Sequence, residues 1–571
     1  MNAKGRLSLL LSEGFFASQV PPCFTSVGFA AKSEALGREW DEINSAKCLE
    51  EAAYERYSVA RAGHARRPIA IVNPVPQFYL SRLIAGEWSA INKILKKSRL
   101  SLSIPSIDRT GGRSIKITGV KDVHEQRLLR SSGMRYALDS DITQFFPSIY
   151  THSIAWAMEG KERAKSRVVR NDKSLLCNRL DELTRYTQQN QTMGIPIGPD
   201  TSHIISEIVG SAIDADLRAK LGSWPNGLRY VDDFSLYFTT ESEASKAFSV
   251  LAETLQKYEL KLNIQKTRIG RMVEFSTETW VHHFDTFDFS QKKEIQRSDL
   301  HRFFGLAFSL AKKFDDENVI QYALRRVETE IVKSQNWEVL AAYLMRCMDA
   351  YPNTIPECAT IVDTYNRVLR RKDFDLRPWK AFISMQIAEN APFSRHSEIA
   401  WLLWLALRLG VVIDSKATSA LELTTSSICL CLALHLESNN QLAKQLARKR
   451  LPQVKGDRVL FSEHWLLAYQ AAFNNWLPGA RDEVQKDRYF KHMLEKGVSF
   501  FDPTIAAPML FSLRHERGDD NEHVRELLDS DDDVHEHFEF IDTRVDYLGR
   551  RRKAEEDEID ELIQYLQSKD D

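Results

Sequence analysis

Three carboxylates carry the chemistry in this chain. Asp232 and Asp233 sit side by side in "LRYVDDFSLYF" (228–238), inside an aromatic, β-prone run. A lone Asp-Asp pair fits an exposed hairpin turn equally well, because Asp is a common turn residue. The pair gains weight from "LDSDITQFFPSIY" (138–150), where Asp141 ends a strand-like approach and precedes Phe145 and Phe146. A carboxylate at one strand end and a pair on a neighbouring hairpin turn can converge on one point. Such a cluster repels itself unless cations neutralise it, and all-oxygen donors select Mg²⁺, with Mn²⁺ as the alternative. Two such ions clamp the attacking and leaving oxygens of an in-line phosphoryl displacement.

The elements that must position these residues follow from the patterning. "MRYALDSDI" (134–142) reads as a strand and "LRYVDDFSLYF" as two short strands about a tight turn. "TSHIISEIVGSAIDADL" (201–217) and "SEASKAFSVLAETLQKYEL" (242–260) have helical spacing. Between Asp141 and the Asp232–Asp233 pair, "QTMGIPIGPD" (191–200) holds Gly194 and Gly198 in a side-chain-poor loop where backbone can approach a nucleotide or primer closely. "LKLNIQKTRIG" (260–270) puts Lys266 on a loop or strand beside the site, where a cation could meet a pyrophosphate leaving group. The mixture to about residue 295 is α+β; beyond it comes a series of helical patterns with aromatic-rich faces and no clean repeat period.

Composition sets the outer bounds. The chain has 571 residues and a net charge of −2, so affinity for nucleic acid must come from local patches such as the basic stretch 93–130. The seven cysteines form no CxxC pair, which fits reduced thiols and a cytoplasmic location. "IAWLLWLALRLGVVI" (399–413) is too short for a bilayer span and reads as a buried helix, so no membrane is expected.

The order "DITQFF", "GIPIGPDTS", "YVDD", "LNIQKT" resembles the palm motifs of reverse transcriptases. The longer strings "DITQFFPSIYTHSIAWAMEGK" and "GIPIGPDTSHIISEI" resemble the abortive-infection and defence-associated reverse transcriptases of bacteria. The resemblance implies right-hand polymerase fingers and palm over residues 1–295 and an α-helical repeat-like domain with an acidic tail over 296–571. It implies that Asp141, Asp232 and Asp233 are catalytic and bind the metal. Arg113 would contact the triphosphate, Phe145 (with Phe146 as the alternative) would face the sugar, and Gly198 would lie under the incoming base pair. Implied partners are deoxynucleoside triphosphates, a single-stranded DNA product, a non-coding RNA in some members, and a homo-oligomer. Where retroelement enzymes usually have Pro-Gln-Gly, this chain has Pro196-Ile197-Gly198, and no ribonuclease H-like stretch follows. The implied function is antiviral DNA synthesis, protein-primed or template-independent. The alternatives are a conventional template-directed enzyme of a mobile element and a catalytically silent nucleic-acid scaffold. If synthesis starts on the protein, a tyrosine hydroxyl suits the task. Tyr54 and Tyr57, in "EEAAYERYSVA" (50–60) read as a polar helix, and Tyr547, in the charged tail, are the candidates.

Overall fold

The computed structural model describes residues 1–513 and 538–540, apart from 45–48, 64, 109–111, 276–279, 285–286, 288, 290–294, 329 and 370–371. Among the described residues, eight strands precede residue 272. β1 (Glu55–Ala60) and β2 (Arg66–Ile71) form an antiparallel hairpin. β3 (Ser106–Ile107) and β4 (Ile115–Lys116) make a small ribbon. β5 (Tyr136–Asp141), β6 (Asn226–Tyr230), β7 (Asp233–Phe238) and β8 (Arg268–Arg271) form an antiparallel sheet in the order β6-β7-β5-β8. The expected hairpin around Asp232 is present.

Period-two alternation gives this sheet one apolar face. Leu138, Phe234 and Leu236 pack in a buried core with Ile204, Ile205 and Ile208 of the helix Asp200–Leu221 and Leu251 and Leu255 of the helix Glu241–Lys257. The opposite face carries Asp139 and Asp141. The second helix starts with a capping box, Thr240 and Glu243 exchanging side chain and backbone hydrogen bonds.

A second core holds the helical half together, and it draws in the start of the chain. Phe15, Phe29, Trp40 and Ile69–Val72 are buried in one cluster with Trp404, Trp465, Tyr489 and Phe500. Trp40 Nε1 donates to Tyr489 O (3.2 Å), Trp465 Nε1 to Ile71 O (3.2 Å) and Trp401 Nε1 to Gln19 O (2.9 Å). The apolar run near residue 400 is the helix His396–Leu409, buried along most of its length. No helix among the described residues is long and apolar enough to cross a membrane.

Two expectations are corrected. The stretch 50–60 is not a helix: its second half is β1, with Glu55 and Tyr57 buried and Arg56 exposed. The β-prone Tyr57 and Val59 pair with β2, and that tertiary pairing overrides the helix formers Glu50–Ala53. The second half is not wholly helical either, because Phe511–Leu513 pairs antiparallel with Phe538–Phe540. The acidic stretch from Asp519 otherwise lies outside the described residues.

A buried ion-pair network supports the β6–β7 turn. Arg229 is fully buried and bonds Glu207 (2.7 Å) and Asp214 (2.9 Å), two turns apart on one face of the helix Asp200–Leu221. Gly210 lies between them, and a Cβ there would come within 2.7 Å of the guanidinium. The two carboxylates hold Arg229 firmly in its charged form. Arg229→Ala leaves both carboxylates buried without their cation and is expected to cost about 3–5 kcal/mol, read by urea unfolding. Arg229→Lys is expected to recover only part of this, since it lacks the planar fork.

Candidate active site

The turn itself is strained. Val231, a β-branched residue, sits at φ 57, in the left-handed region. Both of its backbone groups are held: Arg229 Nη1 donates to Val231 O (2.8 Å), and Val231 N–H donates to Ser103 Oγ (2.9 Å). The Ser103 hydroxyl in turn donates to Glu207 (3.0 Å). The ion-pair network therefore fixes the conformation that presents the next two residues, Asp232 and Asp233.

The register brings the three aspartates together. Asp141 and Asp233 are directly opposed on one rung of the β5–β7 ladder, so their side chains leave the same face. Ile142 N donates to Asp232 O (3.2 Å), which ties the turn to the end of β5. Asp141 is buried and Asp233 exposed. Burial, then the charge of Asp233, then that of Asp141 push the Asp232 carboxyl up to about 6. Partial loss of water around its carboxylate, then the charge of Asp141, raise Asp233 as well, although its side chain stays exposed. This is a cluster of anions short of positive charge.

Lys266 supplies some of that charge. The chain after Leu262 bridges to Ile142, and Asn263 N donates to Asp141 O (2.7 Å). The following turn delivers Lys266 Nζ to Asp141 Oδ2 at 2.6 Å, and that hydrogen bond raises the lysine pKa. Lys266 stays largely exposed, so a ligand can reach it. Arg127, from the helix Val120–Ser131, adds a favourable charge near Asp233.

The donor chemistry fits a hard divalent cation: carboxylate oxygens only, two of them with raised pKa values through burial and mutual repulsion. Among the described residues no three His, Cys, Asp or Glu side chains stand as a ready ligand set, and Lys266 holds the Asp141 oxygen instead.

Other expected residues fall in different places. Arg113 binds the loop rather than facing the carboxylates: it donates to Phe16 O, Gly198 O (2.9 Å) and the Asp200 carboxylate, to which Ser114 also donates. Gly198, at φ 134, packs against β2, where an added Cβ would lie 3.3 Å from Ala70 O. Phe145 is 3% exposed and belongs to the sheet core, whereas Phe146 is half-buried with its ring 5.8 Å from that of Phe145. Tyr54 is half-buried just before β1; Tyr57 is fully buried, and burial pushes its phenol well up. Tyr547 lies outside the described residues.

One contributor escaped the sequence reading. Burial and the neighbouring Arg61 lower the pKa of Arg67, on β2, and the charge of Asp232 acts against them. Both arginines line a cavity of about 350 Å³ between the hairpin and the helices Asn318–Val327 and Ile355–Val368. The signal was the cation-rich "RAGHARRP" (61–68), hidden by reading the preceding stretch as a helix.

Residues 82–299 match the family described as "Reverse transcriptase (RNA-dependent DNA polymerase)", a span that contains Asp141, Gly198, Asp232, Asp233 and Lys266. That segment is thus similar to a reverse transcriptase domain. Among solved structures, the chain is similar to telomerases of two yeasts. Apo telomerase from Candida tropicalis truncated from the C-terminal domain matches at 13% identity over 42% of this chain and 55% of that one, TM-score 0.27. Telomerase from Candida albicans with a TWJ fragment of telomeric RNA matches at 13% over 62% and 64%, TM-score 0.25. The apo Candida tropicalis enzyme matches at 12% over 66% and 70%, TM-score 0.30. The chain thus spans little more than half of the first of these. No curated protein matches.

The two phenylalanines are separable. Phe145→Ala is expected to cost about 3–5 kcal/mol of stability without changing sugar choice. Phe146→Ala is expected to keep the fold and raise ribonucleotide over deoxyribonucleotide use about tenfold, measured by single-nucleotide incorporation.

Proposed function

We propose that this chain is a DNA polymerase that adds deoxynucleotides at the Asp141, Asp232 and Asp233 site. The observation that carries the reading is the opposition of Asp141 and Asp233 on one rung, with Asp232 in the strained turn beside them. Asp141 and Asp232 would be the principal ligands of two Mg²⁺ ions, with Asp233 beside them; Mn²⁺ is the alternative. Bound there, divalent cations supply charge neutralisation for phosphoryl transfer and lower the pKa of an attacking hydroxyl.

The chain's own residues do the rest. Arg67 and Arg61 receive the triphosphate from the hairpin side, and Lys266 meets the pyrophosphate as it leaves. Phe146 presents a ring edge to the sugar. Arg113 acts indirectly, holding the Gly198–Asp200 loop so that its backbone stays close to the hairpin. In the terms of a right-hand polymerase, the sheet is the palm, β1–β2 belongs to the fingers, and residues 296–571 form the helical domain.

The reading places the enzyme among antiviral defence polymerases, supported by the resemblance of the strings 141–161 and 194–208. Ile197 in place of a template-gripping glutamine supports synthesis that does not depend on a conventional primer and template. Priming from a protein hydroxyl, a non-coding RNA partner and a homo-oligomer belong to this reading. For priming, the burial of Tyr57 leaves Tyr54 and Tyr547 as the better candidates. The test is incubation of purified protein with Mg²⁺ and single labelled deoxynucleotides, with neither primer nor template. Label migrating with the protein supports the reading. Activity only with primer and template supports a mobile-element enzyme instead, and no activity in either assay supports a silent scaffold.

Asp232→Asn and Asp141→Asn are each expected to lower incorporation more than about 100-fold at unchanged folding; undiminished activity in either would sink the mechanism. Arg67→Ala is expected to raise KM for the nucleotide about tenfold with a smaller effect on kcat, in steady-state assays. Arg113→Ala is expected instead to lower the melting temperature.

A further inference from the structure

A cavity of about 410 Å³ lies among the helices Ser153–Glu159, Lys161–Lys165, Arg167–Asn171 and Leu176–Tyr186, and none of the catalytic residues lines it. Its volume is in the range of small-molecule sites. One wall is aromatic. Tyr150 packs edge-on against His152, with centroids 4.9 Å apart, and lies 5.5 Å from Trp156. The other wall is cationic. Lys165, Arg170 and Lys173 line it and are exposed. Lys165 rests near the Trp156 ring at 5.4 Å, Lys173 reaches Glu182 only at 4.0 Å, and no carboxylate pairs with Arg170 among the described residues.

The acidic groups here are already engaged. Asp181, itself buried, accepts from His152 Nδ1 at 2.7 Å and from Arg185 Nε at 3.4 Å. That pairing orients the imidazole and leaves Nε2 as its remaining polar atom. Glu182 accepts from the Tyr186 hydroxyl at 3.4 Å. The cations of an ordinary solvated helix face point away from one another. These converge on a cavity with an aromatic wall, which suits a ligand that is both planar and anionic. We infer that this cavity binds a nucleoside phosphate, the base against Tyr150 and His152 and the phosphate at Lys165, Arg170 and Lys173. Stacking a base on an aromatic side chain is sequence-tolerant, and cations at its side add charge-assisted hydrogen bonds to phosphate.

The ligand is either a free nucleotide or one unit of a single strand, and the experiment separates them. The full chain carrying Asp232→Asn, kept in EDTA to block incorporation, is titrated with labelled dATP and, separately, with a short 5′-phosphorylated single-stranded DNA. The cavity is then altered by the paired substitution Arg170→Glu, Lys173→Glu, both exposed, and independently by Tyr150→Ala, with circular dichroism to check folding. The expected result is loss, or weakening by about tenfold or more, of one class of binding sites in both variants. Loss for dATP identifies a free nucleotide; loss for DNA alone identifies a strand. Unchanged binding of both probes by the charge-reversed protein overturns the proposal, as does a parent protein that binds neither. An effect of charge reversal without any effect of Tyr150→Ala overturns the nucleoside and leaves a bare phosphate site. The outcome does not depend on catalysis at the aspartates.

Discussion

The placement of the three aspartates depends on one buried cation. Arg229 lies between Glu207 and Asp214 with no access to solvent, and it also grips the carbonyl of Val231. Charges in a protein interior are tolerated when each is paired and hydrogen-bonded, and here every partner is in place. Ser98 donates to Asp214 and Ser103 to Glu207, so the carboxylates are satisfied from a second direction. The result is a rigid polar strut between the helix Asp200–Leu221 and the β6–β7 turn. A left-handed valine is costly, by about 1–3 kcal/mol, and persists only where its surroundings over-determine it. The strut supplies that determination and so sets where Asp232 and Asp233 stand relative to Asp141.

A different constraint governs the β1–β2 hairpin. The β1–β2 hairpin is built into the helical half rather than hung over the sheet. Arg66 pairs with the Glu398 carboxylate, Ser58 N donates to His396 Nδ1 (3.2 Å) and Ala60 N to Ser397 Oγ (3.0 Å). Ser426 Oγ and Ser427 N donate to the buried Glu55, whose carboxyl burial pushes up to about 7. One strand is thus stitched along its length to the start of the helix His396–Leu409 and to the residues that open the helix Ser427–Ser438.

Much of the sheet was legible in the sequence because short β-prone runs with Asp at their ends admit few arrangements. Asp141, Asp232 and Asp233 could be named as a cluster from their order and neighbours alone. The register that opposes Asp141 to Asp233 needed the structure, since spacing along a chain does not fix which residues face each other. The strut had a partial signal: Glu207 and Asp214 lie on the apolar side of a helix, among Ile204, Ile208 and Leu217, where an unpaired acid would be costly. Arg67 was missed because Glu50–Ala53 reads as helical, and only pairing with β2 turns the following residues into a strand. Arg113 was assigned to a triphosphate by resemblance, but Asp200 sits four residues beyond the Pro196 of the same loop and captures it. The resemblance puts Phe145 before Phe146 at the sugar, and only the structure reveals that the core has taken the Phe145 ring.

The stitching of β1 has a mechanical consequence. A hairpin free at its tip is held only at its base, whereas this one shares a core with Trp40, Trp465 and Phe500. Arg66 is tied to Glu398, and its neighbour Arg67 lines the cavity beside the hairpin and feels the charge of Asp232. A single peptide unit therefore separates the residue anchored to Glu398 from an arginine that lines the cavity between hairpin and helices. The backbone that carries Arg61 and Arg67 is therefore positioned by the helical half.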